Sequence, residues 1–237
     1  MKAMIFAAGL GTRLKPFTEH HPKALAEVNG VSLLELTLKY LQRFGIYDVV
    51  VNVHHFAEQI ENTLYENSDF GSRVAISDER DLLLDTGGGL KKAAWFFEHE
   101  QNFVVMNVDV LTNLDLEKMM ETQEAADSVA TLAVMKRDSS RQLLFDEHMD
   151  LCGWANNSTN EQKISREVTW MQPLAFSGIQ VLNTSVFNDC PFDGKFSLID
   201  WYLHLAKTKV VKGYDHSGNI FIDVGKPESL EKAGYLF

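Results

Sequence analysis

The sequence predicts an α/β fold, and three observations lead there. Short apolar runs at residues 3–7, 48–53, 73–77 and 103–106 read as buried strands, and amphipathic stretches between them read as helices, the alternation of a sheet wound with helices. The first run leads straight into Gly9-Leu10-Gly11-Thr12-Arg13, where glycines let the backbone come close to a ligand. Two apolar runs end in aspartate, at Asp109 and Asp223, and ligands of open α/β sheets bind at the carboxyl ends of strands. Together these describe a Rossmann-like wound mixed sheet with its site at one edge.

Each element has its own signal. Ser32-x-x-Glu35 is a capping box, Leu34, Leu38 and Leu41 share a helix face, and Gly45 stands where a C-terminal glycine cap belongs. Residues 48–53 follow as a buried strand. His54-His55 comes next; adjacent histidines share no helix face and lack further ligands at metal spacing, so they read as loop or cap residues before a helix bearing Ala57, Ile60 and Leu64. Asp85 opens a helix with three consecutive glycines, Gly87-Gly88-Gly89, each costing about 1 kcal/mol against alanine in a helix interior. Something is therefore expected to press against that backbone. A fourth strand ends Asn107-Val108-Asp109, a helix falls near 114–125, and a strand covers 128–135. From 136 to 172 the pattern changes to short alternating runs such as Leu143-Leu144-Phe145, which predicts a small antiparallel excursion. Residues 174–182 return as a strand whose interior Gly178 marks a close backbone approach. Ser197 caps another helix, and residues 221–224 form the last strand before a terminal helix.

Composition narrows the function. With 237 residues, 45% of them hydrophobic, the chain is expected to form a single domain over 1–237. A net charge of −11 argues against nucleic acid as a partner, since such binding wants a basic face. The first 26 residues nevertheless carry Lys2, Arg13, Lys15 and Lys23 against Glu19 alone, a local excess of cations suited to phosphates. No secretory pattern opens the chain and no apolar run reaches membrane length, so a cytoplasmic protein with no membrane contact is expected, as a monomer or small homo-oligomer. Cys152 and Cys190 have no metal-site spacing and read as free thiols.

The glycine loop reads as a phosphate cradle, with amides aimed at phosphate oxygens and Arg13 and Lys23 supplying charge, although Gly-x-Gly alone fits an ordinary turn equally well. The longer pattern, Gly9-x-Gly11-Thr12-Arg13 with Pro22-Lys23, resembles the G-x-G-T-R-(x)n-P-K signature of the sugar-nucleotide pyrophosphorylases. Members of that family are nucleotidyltransferases that join a nucleoside triphosphate to a sugar 1-phosphate. The chain departs from the pattern at Ala24, where most members have proline, and at Val108, where glycine is usual. The resemblance continues through Thr86-Gly87-Gly88-Gly89, the strand around Gly178 and Phe196-Ser197-Leu198-Ile199-Asp200. It implies a fold of the nucleotide-diphospho-sugar transferase type, without the β-helix that many relatives append. It further implies Ala8, Gly9, Gly11 and Thr12 around the nucleotide phosphates, Arg13 and Lys23 as catalytic cations, and Gly87 and Gly88 at the base. Asn107 and Gly178 would meet the sugar, Asp109 and Asp223 would hold Mg²⁺, and the 136–172 excursion would shape the acceptor pocket. The glycine triplet looks most like the branch of small uridylyltransferases that use UTP and N-acetylmuramate 1-phosphate in cell-wall recycling. A guanylyltransferase acting on mannose 1-phosphate is the alternative, and a non-catalytic nucleotide-sugar sensor is the alternative of another class. Such a sensor would be expected to have lost one of Arg13, Lys23, Asp109 and Asp223, and all four are present.

Overall fold

A computed structural model describes residues 1–237. In chain order it comprises β1 (Lys2–Phe6), β2 (Glu27–Val28), β3 (Val31–Ser32), α1 (Leu33–Gln42), β4 (Asp48–Val53), α2 (Ala57–Glu66) and β5 (Arg73–Asp78). There follow α3 (Asp85–Lys92), β6 (Asn102–Asn107), β7 (Val110–Thr112), α4 (Leu116–Ala125) and β8 (Ala130–Met135). The second half contains β9 (Arg141–Phe145), β10 (Leu151–Asn156), β11 (Glu161–Ile164), β12 (Gln172–Asn183), α5 (Leu198–Leu205), β13 (Val211–Asp215), β14 (Phe221–Asp223) and α6 (Pro227–Leu236). No helix is long and apolar enough to cross a membrane.

β1 lies between β4 and β6, and β5 pairs with β4, all four parallel, so their carboxyl ends share one edge. Both faces of these strands are covered, which is why they read as unbroken apolar runs. Ala3, Ile5, Val49, Val51, Val104 and Met106 join one buried cluster with Leu34 and Leu38 of α1 and Ile60 of α2. Met4, Val50, Phe103 and Val105 point the other way, into a cluster with Leu90 of α3 and Trp201 and Tyr202 of α5. The expected caps form: Ser32 accepts from the Glu35 amide at 3.1 Å, Ser197 accepts from the Ile199 amide at 3.2 Å, and Gly45 has a φ of 71°.

Beyond β6 the sheet turns antiparallel. β12 runs against β6, β8 runs against β12, and β13 pairs parallel with β8. The first residues of β12, Gln172 to Leu174, pair instead with β9, to which β10 and β11 add as an antiparallel extension of the same sheet. Between these two pairings the register with β8 shifts, and Gly178 takes a φ of 74° there. The excursion expected at 136–172 is this extension, tied to α5 by Lys163 to Asp200 at 2.8 Å and by Ser165 to the Leu203 carbonyl at 2.7 Å.

The setting of Asp223 differs from the expectation that both aspartates end strands of one parallel sheet. β14 lies off the main sheet in a two-stranded antiparallel ribbon with β7, with Asp223 opposite Val110. Three residues are too few to span the sheet, and β7 follows Asp109 directly, so the ribbon brings the two aspartates together. The Val224 amide donates to the Asp109 carbonyl at 2.8 Å and closes that junction.

Candidate active site

The carboxyl ends of β1, β4, β5 and β6 surround a cavity of about 460 Å³. Its floor is the glycine loop, held from below by Asn52, a buried amide in an otherwise valine-rich strand. Asn52 Oδ1 accepts from the amides of Ala7 at 2.7 Å and Ala8 at 3.3 Å, while its Nδ2 donates to Glu79 Oε1 at 2.7 Å. Glu79 is fully buried, and its second oxygen accepts from the Leu84 amide at 3.0 Å. A buried carboxylate is costly unless its oxygens find donors, and here both do, so the pair fixes the loop's first amides in direction. Past them, Gly9 and Gly11 line the cavity, and neither amide donates to another backbone group. Gly11 has a φ of 60°, and a Cβ there would meet Thr18 at 2.8 Å, so both its conformation and its neighbour require glycine. Thr12 and Arg13, both exposed, follow on a short helical turn at the cavity wall.

Charge gathers on the wall opposite. Lys23, only 9% exposed, is ion-paired with Asp109. Asp223 retains an exposed edge, yet partial burial and the negative charge of Asp109 raise its carboxyl above the usual range, against the opposing effects of Lys23, Arg13 and Arg137. Arg13 Nη2 and Asp223 Oδ1 both crowd Gly225, each 2.7 Å from where a Cβ would lie. Two carboxylates that repel each other, Asp109 lining the cavity and Asp223 outside its lining, suit a hard divalent cation. No third acidic, histidine or cysteine side chain completes an all-protein cage, and Mg²⁺ habitually takes one or two carboxylates with phosphates and water. The residues present therefore fit such an ion.

The model of the nucleotidyl transferase family matches residues 2–144. The chain belongs to that family. An N-acetylmuramate alpha-1-phosphate uridylyltransferase of Caulobacter vibrioides is 32% identical over 96% of this nucleotidyl transferase and 93% of its own length. A D-glycero-alpha-D-manno-heptose 1-phosphate guanylyltransferase of Campylobacter jejuni is 30% identical over 96% of each chain. Among solved structures, HddC from Yersinia pseudotuberculosis complexed with GMP-PN superposes with a TM-score of 0.79 at 27% identity, covering 100% of this chain and 99% of that one.

In this nucleotidyl transferase, Ala8, Gly9, Gly11, Thr12, Arg13, Lys23, Asn107 and Asp109 all line the one cavity. Asp223 is not among its lining residues, and Gly178 does not line it either. Gly178 stands behind Asn107, whose Nδ2 is 2.6 Å from the position of a Cβ on Gly178, so any side chain there would push Asn107 forward. Gly87 and Gly88 depart from the expectation of base contact. They are buried, their amides both point at the Phe196 carbonyl, and Cβ atoms on them would strike the Phe196 ring at 2.4 Å and the Gly194 carbonyl at 2.1 Å. The pressure on that glycine backbone comes from the protein itself, and Leu83, Asp85 and Thr86 line the cavity in their place. Asp85 holds a φ of 61°, rare for a residue with a side chain and common near functional sites. The 136–172 excursion contributes nothing to the lining. Sequence reasoning missed Asn52, Glu79 and Lys195. A polar residue inside a valine run was a usable signal for Asn52; Glu79 and Lys195 carried none.

Proposed function

We propose that this nucleotidyl transferase moves a uridylyl group from UTP to N-acetylmuramate 1-phosphate, releasing pyrophosphate. The observation that carries a phosphoryl-transfer reading is the meeting of a glycine loop, two cations and two carboxylates beyond the carboxyl ends of the parallel strands, one carboxylate brought there by the β7–β14 ribbon. The choice of substrates is supported by the relatives from Caulobacter vibrioides and Neisseria meningitidis, both N-acetylmuramate alpha-1-phosphate uridylyltransferases, at 32% and 28% identity over nearly the whole chain.

In the reaction, a phosphate oxygen of the sugar 1-phosphate forms a bond to the α-phosphorus of the triphosphate. The bond from that phosphorus to the α,β-bridging oxygen breaks, and its electron pair leaves with pyrophosphate. The nucleophile is already an anion at neutral pH, because a phosphate monoester loses its second proton near pH 6, so no general base is required. The task left to the protein is to bring two anions together in line. In this reading Gly9, Gly11 and Thr12 cradle the triphosphate, and Arg13 and Lys23 offset the charge that develops on it. Asn107 faces the acceptor, with Gly178 setting its position. Asp109 and Asp223 would hold Mg²⁺, which when bound supplies charge neutralisation between the two substrates.

A second reading, guanylyl transfer to a heptose or mannose 1-phosphate, is favoured by the Campylobacter jejuni relative and by the GMP-PN complex of HddC. One experiment separates them: pyrophosphate release measured for UTP and GTP crossed with N-acetylmuramate, heptose, mannose and glucose 1-phosphates. The highest kcat/KM is expected for UTP with N-acetylmuramate 1-phosphate; equal or better turnover with GTP overturns the assignment.

A further inference from the structure

Arg137, two residues beyond β8, is a half-buried cation outside the lining of the cavity, and the reaction above gives it no role. Its Nη2 donates to the Phe176 carbonyl at 2.9 Å, and its guanidinium carbon lies 5.1 Å from the centre of the Phe221 ring. Its Nε is buried with no hydrogen-bond partner, and no carboxylate is within ion-pair distance. A buried donor without a partner costs about 1–3 kcal/mol, and a charged one more, so a purely structural arginine here would be a poor choice. Burial lowers its pKa, and the charge of Asp223 opposes this.

Its neighbours connect this guanidinium with the acceptor side. The Phe176 carbonyl lies two residues before Gly178, which backs Asn107, and Phe221 lies two residues before Asp223. The charge of Arg137 acts on Asp223 together with those of Lys23 and Arg13, but the latter two come from the glycine loop and its continuation, whereas Arg137 comes from the antiparallel half. The other ring nearby, His216, is buried and donates or accepts at Ser177 Oγ over 2.7 Å; burial holds its pKa down at about 4, so it is neutral and brings no rival charge. What remains is a planar guanidinium steadied on one edge and one face, with a donor left over. The remaining N–H groups of a guanidinium suit the anionic oxygens of a carboxylate or a phosphate.

We propose that Arg137 binds an anionic group of the acceptor, separately from the cations that hold the nucleotide. The proposal rests on the sugar-1-phosphate reading above. Two groups have the required chemistry: the phosphate common to all such acceptors, and the lactyl carboxylate that N-acetylmuramate 1-phosphate carries and N-acetylglucosamine 1-phosphate lacks.

The test is steady-state kinetics of the full chain with these two acceptors, comparing wild type, Arg137→Gln and Arg137→Lys. Arg137→Gln is expected to raise the acceptor KM at least ~10-fold, the loss of a charge-assisted hydrogen bond, with the KM for UTP within about twofold of wild type. Arg137→Lys should recover part of the loss, and equilibrium dialysis of the acceptor against this variant provides the readout if the glutamine variant does not fold. A rise confined to N-acetylmuramate 1-phosphate identifies the carboxylate; an equal rise for both identifies the phosphate. An unmoved acceptor KM in a folded variant, or an equal rise in the KM for UTP, overturns the proposal. If wild type turns over no sugar 1-phosphate at all, the function itself fails and takes this proposal with it; turnover with an unmoved acceptor KM defeats the Arg137 proposal alone.

Discussion

The parallel half of the sheet, β1, β4, β5 and β6, and the antiparallel half that begins at β12 differ in how completely their polar groups are satisfied. In the first, Asn52 and Glu79 meet each other and three backbone amides, and four strand ends converge on one cavity. In the second, buried polar atoms are left over: Arg137 Nε, Gln180 Oε1 and His216 Nδ1 have no partner, against Ser77 Oγ alone in the first, while Trp201 Nε1 and Tyr202 Oη of α5, packed against both halves, also have none. A nucleotide cradle relies on backbone amides, so the fold can finish it internally. In the reading proposed above, an acceptor site must recognise one sugar among many, and side-chain groups such as Arg137 would serve that end.

The comparison breaks most clearly at the junction of the halves. Asp109→Asn and Asp223→Asn should each lower kcat by more than ~100-fold, and EDTA should abolish turnover that Mg²⁺ then restores, measured by pyrophosphate release. Their stabilities should move in opposite directions. Asp109→Asn strips the buried Lys23 of its partner and should cost about 1–3 kcal/mol in urea unfolding, whereas Asp223→Asn relieves repulsion from Asp109 and should cost nothing or stabilise. Equal destabilisation by both would mean that the two carboxylates do not sense each other.

On the nucleotide side, Arg13→Ala and Lys23→Ala should each lower kcat by about 100-fold, the usual loss when one preorganised charge partner of a developing anion is removed. Arg13→Ala should leave the melting temperature unchanged, because its side chain is exposed. Near-normal rates in both variants would mean that the cradle lies elsewhere.

On the acceptor side, His216 makes stability depend on pH. Its folded pKa of about 4 lies below the unfolded value near 6.5, so the unfolded chain binds the proton first as pH falls. Stability should therefore decline between about pH 6.5 and 4, by up to about 3 kcal/mol from this group. Chemical denaturation across that range should show a shallower decline in His216→Gln; identical slopes would remove the histidine from the account.

The smallest effect should come from the glycine helix. Gly88→Ala puts a Cβ 2.1 Å from the Gly194 carbonyl and should cost about 1–3 kcal/mol, while Gly9→Ala, with nothing within 4 Å, should leave stability unchanged. A neutral Gly88→Ala would show that the 193–196 loop yields readily.

Much of the parallel half was readable in the sequence because its signals are local: apolar runs for the strands, Ser32 and Gly45 for a helix, and glycines with cations for the cradle. The site was legible where one loop supplies it. Reading failed where distant segments decide. Nothing near Gly87 in sequence announces that Phe196 and Gly194 fill the space beside it, and nothing near Asp223 announces that its strand pairs with β7 instead of the main sheet. Nothing in the sequence around Glu79 announces that Asn52 and the Leu84 amide bond its two carboxylate oxygens.

β12 has a consequence for how this half of the molecule can vary over evolutionary time. The strand is gripped by β9 at its start and by β6 at its end, with the kink at Gly178 lying between the two grips. Residues 157–160, at the tip joining β10 to β11, hang outside both. Insertions or deletions at that tip leave the kink, and with it the seat of Asn107, where they were. Length in the hairpin is thus uncoupled from the cavity wall that Asn107 forms, and its outer surface is free to diverge without moving that wall.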